Sequence, residues 1–517
     1  MSIQSFCRSR CLSAASRRWV PVACGAVLVC CFASGVKAQQ VNVTVQVFPG
    51  SPGHVVIEGN CEPTRVWSFR NDYAGVSDLG SRVEALKLFD PAGAEIPARK
   101  IAPGQFEAAM AAAKFRYEVN LAPPARASDA ARVSWLNNEH GLLMLADLLP
   151  VFQSKAANSR VGVKVLFKLP PFCAVYSNEK ENAQGEFQVD ADRAVFLVGT
   201  HLRSSHTNVS GMTFGLVTDG EWAFADGEAL KLVADVFKID REVFGAMPSQ
   251  QGTLILLPFP QPAAVSTWSA ETRGSTVTLL MGKLPSKTAA LSQLSVPLTH
   301  ELFHLWVPNA LALTGDYDWF YEGFTVYQAA RTAVRLGLLT FQEFLNAIAR
   351  AYDAYAVAAD HDRWSLVEAS KRRWTAGAPS VYSKSMVVAF LYDLKLRNQS
   401  RGKHSLDDAY RKMFQDYHSS DAGSNRVAAG QGTDGNQAAA NALASDSGTQ
   451  GFVQKFIREA VTISLASELA QFGLRVETFG LRTRLSVSEQ LSKPQRDLLR
   501  ELGYNDSARS STQKKHS

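Results

Sequence analysis

The feature that most constrains this chain is a five-residue segment in its second half, His300-Glu301-Leu302-Phe303-His304. Residues i and i+4 lie on one face of an α-helix, so a helix here presents both imidazoles on the same side. Chance predicts about 0.01 occurrences of this pattern in such a chain. The alternative is a surface helix that happens to carry these residues. We therefore predict a helix in which the two histidines act together.

The spacing of the two histidines is typical of a zinc site, in which the intervening glutamate activates a water. A catalytic site of this type needs a third protein ligand. Glu322 follows His304 by 18 positions and opens a second predicted helix. The alternative for Glu322 is an ordinary acid in a first helical turn. We predict one Zn²⁺ ion held by His300, His304 and Glu322, with Glu301 as general base.

The N-terminus has the composition of a secretory signal peptide. Four arginines precede an apolar run from Trp19 to about Ala33, and small residues flank a cleavage site near Ala38. The run is shorter than the roughly 20 residues of a membrane-spanning helix, although a signal anchor is the alternative. We expect residues 1–38 to be removed, no stable membrane insertion afterwards, and a secreted or periplasmic protein.

Charge and cysteine usage narrow the choice of partners. Without residues 1–38, the net charge falls from +6 to +1, so the basic balance belongs mainly to the leader. No electrostatic footprint for nucleic acid remains, and a peptide or protein substrate is the expected partner. Cys61 and Cys173 are the two cysteines left after cleavage, and they either pair in a disulfide or stay as free thiols.

Hydrophobic patterning divides the chain into three domains. From residue 39 to about 219, short alternating stretches between turn residues predict a β-rich domain, with one helix near Phe106 to Ala113. Residues 220–395 change to mixed helix and strand and carry the metal motif. We expect residues 396–517 to be helical, including Phe452 to Leu502. The segment at about 419–450 is rich in Ser, Gly, Ala and Asn and predicts a flexible insertion.

Longer stretches around the motif resemble a known family. Residues 299–306 and 319–325, together with Tyr382-Ser383-Lys384 ahead of an apolar helix, are similar to the glycyl aminopeptidases, relatives of aminopeptidase N among the gluzincin metallopeptidases. The resemblance implies a multidomain α+β fold. Its parts are a β-rich N-terminal domain, a thermolysin-like catalytic domain with zinc, and a helical C-terminal domain.

The resemblance also assigns two further residues. Tyr382 matches a tyrosine that donates a hydrogen bond to the tetrahedral oxyanion, and its alternative is a core aromatic. Glu271 matches the glutamate that holds the free amino group of the substrate. Trp268 and Ser269 replace two glycines beside it, which reshapes the rim of the cleft. Members of this family often end in a PDZ domain, which we do not expect here.

The combined pattern predicts a secreted zinc metallopeptidase that hydrolyses peptide bonds, as an aminopeptidase. One alternative is a zinc endopeptidase, since the altered rim at Trp268 and Ser269 leaves the exopeptidase assignment open. The other is a non-catalytic secreted binding protein with a vestigial zinc site. All four residues that the chemistry requires are present in the sequence, which favours an enzyme.

Overall fold

The N-terminal region consists of two sheets. The computed structural model describes residues 40–152, 162–359, 361–419, 432–446 and 448–505, so the predicted signal peptide lies outside the described residues. The elements here are β1 (Gln40–Phe48), β2 (His54–Ser68), β3 (Val83–Phe89), β4 (Glu95–Ile96), β5 (Ala98–Ala102), β6 (Gln105–Asn120), β7 (Trp135–Leu136), β8 (His140–Met144), α1 (Leu145–Leu148), β9 (Gly162–Lys168), β10 (Ala174–Tyr176), β11 (Glu186–Asp190) and β12 (Val195–Gly199).

The first sheet has the strand order β11-β9-β1-β2-β6-β3-β4, with β5 paired to β6, and the second has the order β10-β12-β8-β7. In the first sheet β1 pairs in parallel with β9, while its other pairings are antiparallel. Alternate residues of β1, from Val41 to Val47, are buried against the second sheet. This period of two confirms that the region is β-rich.

The predicted helix near Phe106 to Ala113 is wrong, because these residues lie in β6. Ala108, Ala109 and Ala111 to Ala113 favour a helix when judged by propensity alone. However, β6 pairs with β2, β3 and β5. These long-range strand pairings outweigh the local preference.

The next region is built on a five-stranded sheet of order β13-β14-β15-β17-β16. Its elements are β13 (Arg203–Val209), β14 (Met212–Thr218), α2 (Asp226–Phe244), β15 (Gln251–Leu257), β16 (Trp268–Arg273), β17 (Thr276–Met281), α3 (Lys287–Glu301), β18 (Leu313–Thr314) and α4 (Thr325–Arg335). Strands β13 and β14 belong to this sheet, so the predicted domain boundary at 219 lies too late. The alternation of apolar and polar residues is the same in the strands of the N-terminal region and in β13 and β14, so it does not mark the boundary between the sheets.

The small second sheet lies between the two larger ones. One side of β8 and β12, with Leu143 and Phe196, packs on the first sheet. The other side, with Leu142 and Leu197, packs on Ile255 and other residues of the five-stranded sheet. Both strands are therefore buried on both faces, and the N-terminal region is continuous in packing with the sheet that carries β16.

The C-terminal region is mainly helical. Its elements are α5 (Phe341–Ala356), α6 (Leu366–Ser370), α7 (Ser385–Ser400), α8 (Leu406–Tyr417), β19 (Thr433–Asp434), α9 (Gly435–Leu443), α10 (Gln450–Val453), α11 (Leu465–Leu469), β20 (Leu474–Phe479), β21 (Arg482–Val487) and α12 (Lys493–Glu501). Helix α7 runs across the predicted boundary at 395, and one apolar core joins these helices to α2, α3 and α4. Within the described residues, every helix is too short or too polar to span a bilayer.

Two expectations for this region need correction. The segment predicted as flexible at about 419–450 contains α9, where Ala438, Ala439 and Leu443 are buried. Alanine has the highest helix propensity, and its small side chain permits close packing, so low complexity does not mean a linker at α9. Residues 420–431 of the predicted insertion lie outside the described residues. Within Phe452 to Leu502, predicted as helices, β20 and β21 form a hairpin.

The two cysteines of the N-terminal region were expected either to pair in a disulfide or to stay as thiols. Cys61 and Cys173 are free thiols in the structure.

Candidate metal centre and active-site cleft

The five-residue motif lies where helix α3 ends. His300 and Glu301 occupy its last turn, and His304 follows in a 3₁₀ turn formed by Phe303–Leu305. The two Nε2 atoms are 3.0 Å apart. His304 Nδ1 lies 2.9 Å from the carbonyl oxygen of Val307, and a proton on Nδ1 satisfies this contact. That tautomer leaves the Nε2 lone pair free to bind a metal ion.

Glu322 comes to the same point from a π-helical turn, Trp319–Phe324, which leads into α4. Its Oε2 is 3.4 Å from His300 Nε2 and 3.6 Å from His304 Nε2. A glycine follows it because the backbone crosses α7 closely. A Cβ atom on Gly323 would lie 2.2 Å from Ser385 Cβ. Ser385 therefore packs directly against the backbone beside Glu322.

The three ligand atoms fit a tetrahedral zinc ion. Two donors at about 2.05 Å from such an ion are about 3.3 Å apart. The separations of 3.0, 3.4 and 3.6 Å among His300, His304 and Glu322 scatter around this value. Two imidazoles with one carboxylate form a typical catalytic zinc set that keeps a position open. The structure thus brings all three predicted ligands together.

The electrostatics of the centre favour a bound cation. Burial raises the pKa of Glu322, but Arg373 and then His304 more than offset this effect and hold the pKa well below its ordinary value. Burial lowers the pKa of His304, whereas Glu322 and Glu301 outweigh it and raise the pKa to about 9. The carboxylates therefore attract positive charge to the imidazole nitrogens, which a metal ion can supply in place of a proton.

Arg373 is the main residue of the centre that the sequence did not identify. Its Nη2 lies 2.8 Å from Glu322 Oε1, and its Nη1 lies 2.9 Å from Asp318 Oδ1. Because Oε1 is bound to Arg373, Oε2 of Glu322 is turned toward the two histidines. Tyr321 also donates to Asp318 Oδ1, at 2.6 Å. The available signal was weak, since Arg373 is one of several basic residues near position 372.

The predicted general base, Glu301, is held by the edge strand β16. Thr272 Oγ1 donates to Glu301 Oε2 at 2.7 Å and lies 3.1 Å from its carbonyl oxygen. Asn309 ties the same strand to the motif, because its Nδ2 donates to the carbonyl oxygens of Thr272 and His304. Glu301 is 6% exposed and lines the same cleft as the histidines.

Tyr382 lies in a π-helical turn, Pro379–Lys384, and its side chain lines the cleft. Its hydroxyl oxygen accepts a hydrogen bond from Arg373 Nη2 at 2.5 Å. Burial, and then the nearby Glu322 carboxylate, raise the pKa of Tyr382. The hydroxyl is therefore protonated at neutral pH, and its proton remains available to a substrate oxygen.

Glu271 lies on β16 and also lines the cleft. Tyr73 donates to Glu271 Oε1 at 2.8 Å, and Arg132 Nε is 3.9 Å from Oε2. At the altered rim, Ser269 Oγ donates to the carbonyl oxygen of Ser128, while Trp268 remains 41% exposed. At the rim, Ser269 therefore links edge strand β16 to the N-terminal region by a hydrogen bond. The indole of Trp268 is the neighbouring side chain on the same strand.

One cleft of about 1320 Å³ contains all of these side chains. One wall comes from the N-terminal region, with Tyr73 and Arg132. Helices α4 and α5 line the cleft too, with small apolar residues such as Ala330 and Ala347. His300, His304 and Glu322 line the same cleft.

Comparisons with known proteins agree with this geometry. Residues 294–391 match the model of a family described as M61 glycyl aminopeptidase. The structure resembles an aminopeptidase N family protein from Idiomarina loihiensis, with a TM-score of 0.70, 17% identity, and coverage of 84% of this chain and 79% of that one. A search of curated protein sequences finds no match.

A second similar structure is a mutant of an M1 zinc metallopeptidase from Deinococcus radiodurans, bound to a Tyr-Ser-Ala substrate. It has a TM-score of 0.52 and 13% identity, and the match covers 83% of this chain and 95% of that one. The structural likeness shows the fold, and the matched segment contains His300, Glu301, His304, Glu322 and Tyr382. Residues 294–391 are therefore similar to the M61 glycyl aminopeptidases, and the chain has the fold of an aminopeptidase N family protein.

Proposed function

We propose that this chain is a secreted zinc aminopeptidase that removes residues from the N-terminus of peptides, with Glu301 as general base. One observation carries the proposal. The ligand atoms of His300, His304 and Glu322 lie within 4.8 Å of one another, in a cleft that also contains Glu301 and Glu271. Edge strand β16 beside α3 supports a thermolysin-like arrangement of this region.

In the proposed reaction, His300, His304 and Glu322 would hold one zinc ion, which would supply polarisation of the scissile carbonyl and a lowered pKa of a water molecule. Glu301 accepts a proton from the attacking water and returns it to the leaving amine. The bond from Thr272 fixes one carboxylate oxygen of Glu301, so the other is free to meet the water.

Two further side chains act on the substrate. Tyr382 donates a hydrogen bond to the oxygen that becomes negatively charged, and the bond that its hydroxyl oxygen accepts from Arg373 leaves the hydroxyl hydrogen available for this role. A donor aimed at developing charge stabilises the transition state more than the ground state. Glu271 accepts a hydrogen bond from the free amino group, and this contact selects the N-terminal residue of the peptide.

The test is hydrolysis of a peptide library, with free and with acetylated N-termini, by the purified protein before and after treatment with a chelator. We expect release of N-terminal residues from the free peptides, loss of activity on chelation and recovery with zinc. Cleavage of acetylated peptides at internal bonds would identify an endopeptidase. Zinc binding without any hydrolysis would identify the non-catalytic alternative.

A substitution isolates the general base. Glu301→Gln keeps the shape of the side chain, so we expect full zinc content by atomic absorption and no turnover. Glu477→Gln, on β20, does not line the cleft and is the matched control. Near-normal activity of Glu301→Gln would refute the role of Glu301. N-terminal sequencing of the exported protein tests cleavage near Ala38.

A further inference from the structure

Arg132 is a second charged residue at the Glu271 end of the cleft, and the proposed reaction does not use it. It follows a 3₁₀ turn, Ala127–Asp129, in the N-terminal region. Its backbone is fixed at both ends, since its N–H donates to the carbonyl oxygen of Asp129 at 2.9 Å and its carbonyl oxygen accepts from Arg273 Nη2 at 2.6 Å. The side chain extends into the cleft, with its guanidinium 5.4 Å from the Trp374 ring centre.

The guanidinium of Arg132 has more donors than the surrounding protein satisfies, since a guanidinium has five N–H donors. In the part of the chain that the structure describes, its only hydrogen bond is a long one, 3.4 Å from Nη1 to the carbonyl oxygen of Ala74. Its Nε is buried and has no hydrogen-bond partner among the described residues. Such a buried unpaired donor calls for an acceptor that the described protein atoms do not supply.

Neutralisation of the Glu271 charge does not explain why the Arg132 side chain lies in the cleft. The distance of 3.9 Å between Arg132 Nε and Glu271 Oε2 is beyond hydrogen-bonding range. Glu271 instead accepts its hydrogen bond from Tyr73. Among the neighbouring cations, Arg273 lowers the pKa of Glu271 more than Arg132 does. Arg132 is therefore available for a ligand in the cleft.

A planar guanidinium with free donors binds a carboxylate through two parallel hydrogen bonds. The neighbouring Glu271 carboxylate suits an ammonium group. One substrate residue that carries an ammonium and a carboxylate close together satisfies both. We propose that Arg132 and Glu271 form a subsite for an N-terminal aspartate or glutamate, in which Arg132 binds the side-chain carboxylate and Glu271 the α-amino group. This inference rests on the proposed aminopeptidase activity.

The geometry favours this substrate over a peptide C-terminus. In a peptide of two or more residues, the α-carboxylate and the α-amino group lie at opposite ends, whereas Arg132 and Glu271 are adjacent. In an N-terminal aspartate, the two charged groups are attached to neighbouring carbon atoms. The Trp374 ring lies 5.4 Å from the Arg132 guanidinium, a distance at which a cation–π contact favours the charged side chain in the cleft.

The experiment compares each acid with its amide of nearly equal shape. We expect kcat/KM for peptides with N-terminal Asp and Glu to exceed that for Asn and Gln by about 10- to 100-fold, as for a charge-assisted hydrogen bond at a partly buried site. Arg132→Gln should bring this ratio close to one, and Arg132→Lys should retain part of it. Arg99→Gln, an exposed arginine of β5 that does not line the cleft, should leave the ratio unchanged.

Equal hydrolysis of acids and amides by the natural protein would overturn the inference. So would an Arg132→Gln variant that lowers both rates equally and keeps their ratio, because that result indicates a structural role. A separate readout uses calorimetric binding of the same peptides to Glu301→Gln, which does not depend on turnover. Tighter binding of the acidic peptides without release of N-terminal residues would refute the aminopeptidase proposal and support the subsite. Release of N-terminal residues without discrimination between acids and amides would support the aminopeptidase proposal and refute the subsite.

Discussion

Replacing Arg373 by glutamine tests how Glu322, the proposed zinc ligand, is positioned. Arg373 donates to Glu322, Asp318 and Tyr382, and its side chain is 11% exposed, so these bonds are largely shielded from water. Glutamine removes the positive charge and cannot reach all three acceptors. Two carboxylates then remain buried without their cation, a change that costs about 3 to 5 kcal/mol in the metal-free protein.

The loss should be smaller when zinc is present, because the ion neutralises Glu322. Residues that orient a metal ligand through a second contact typically contribute about 10- to 100-fold to metal affinity. We therefore expect Arg373→Gln to weaken zinc binding by about this factor, which equals about 1.4 to 2.7 kcal/mol. Arg373→Lys keeps the charge without the fork of two donors and should give an intermediate affinity.

Zinc affinity is measured by competition with a chromophoric chelator, and unfolding is followed by calorimetry with and without zinc. The opposite result is physically possible, since Arg373 is a cation close to the metal and its charge alone disfavours binding. Unchanged or tighter zinc binding by Arg373→Gln would show that charge repulsion outweighs orientation, and would refute the positioning role. A fall in the unfolding temperature that is the same in both states would also contradict the reasoning.

Three further predictions concern the surroundings of the site. Gly323→Ala places a Cβ atom 2.2 Å from the carbonyl oxygen of Val381, so we expect the free energy of unfolding to fall by about 1 to 3 kcal/mol and zinc binding to weaken. Gly227→Ala is the control and should be tolerated, because no described atom lies within 4 Å of its added Cβ. Tyr382→Phe should lower kcat by about 100-fold at unchanged zinc content, and a kcat close to normal would assign the hydroxyl a packing role. Burial lowers the pKa of Lys384 from 10.5 to about 8, so between these values the unfolded chain binds the extra proton and stability should rise with pH. Chemical denaturation from pH 7 to 11 should show this rise, and Lys384→Met should remove it.

Local spacing was sufficient to predict the core of the site. The two histidines are four positions apart, and the turn that ends α3 keeps both imidazoles on one side. Glu322 was also predictable, because it is an acid in the first turns of the next helix-forming segment, 18 positions after His304. These residues are close in sequence, so helix geometry and one short connection bring them together.

Local preference failed where distant strands or helices decided the structure. The alanine-rich residues 108–113 lie in β6, where Ala112 pairs with β2 and Ala108 with β5. The alanine-rich α9 was interpreted as a linker, although its apolar side chains are buried against the helical core. In both cases a partner far away in sequence supplied the energy that the local pattern could not reveal.

The sequence by itself was enough to predict three metal ligands and a general base, because all four residues lie within 23 positions along two neighbouring segments. Only the tertiary structure decided which groups surround them. Arg373 reaches Glu322 across 51 positions, and Arg132 and Tyr73 approach Glu271 from the N-terminal region across more than a hundred. Such contacts depend on how sheets and helices pack, and burial gives them their energetic weight.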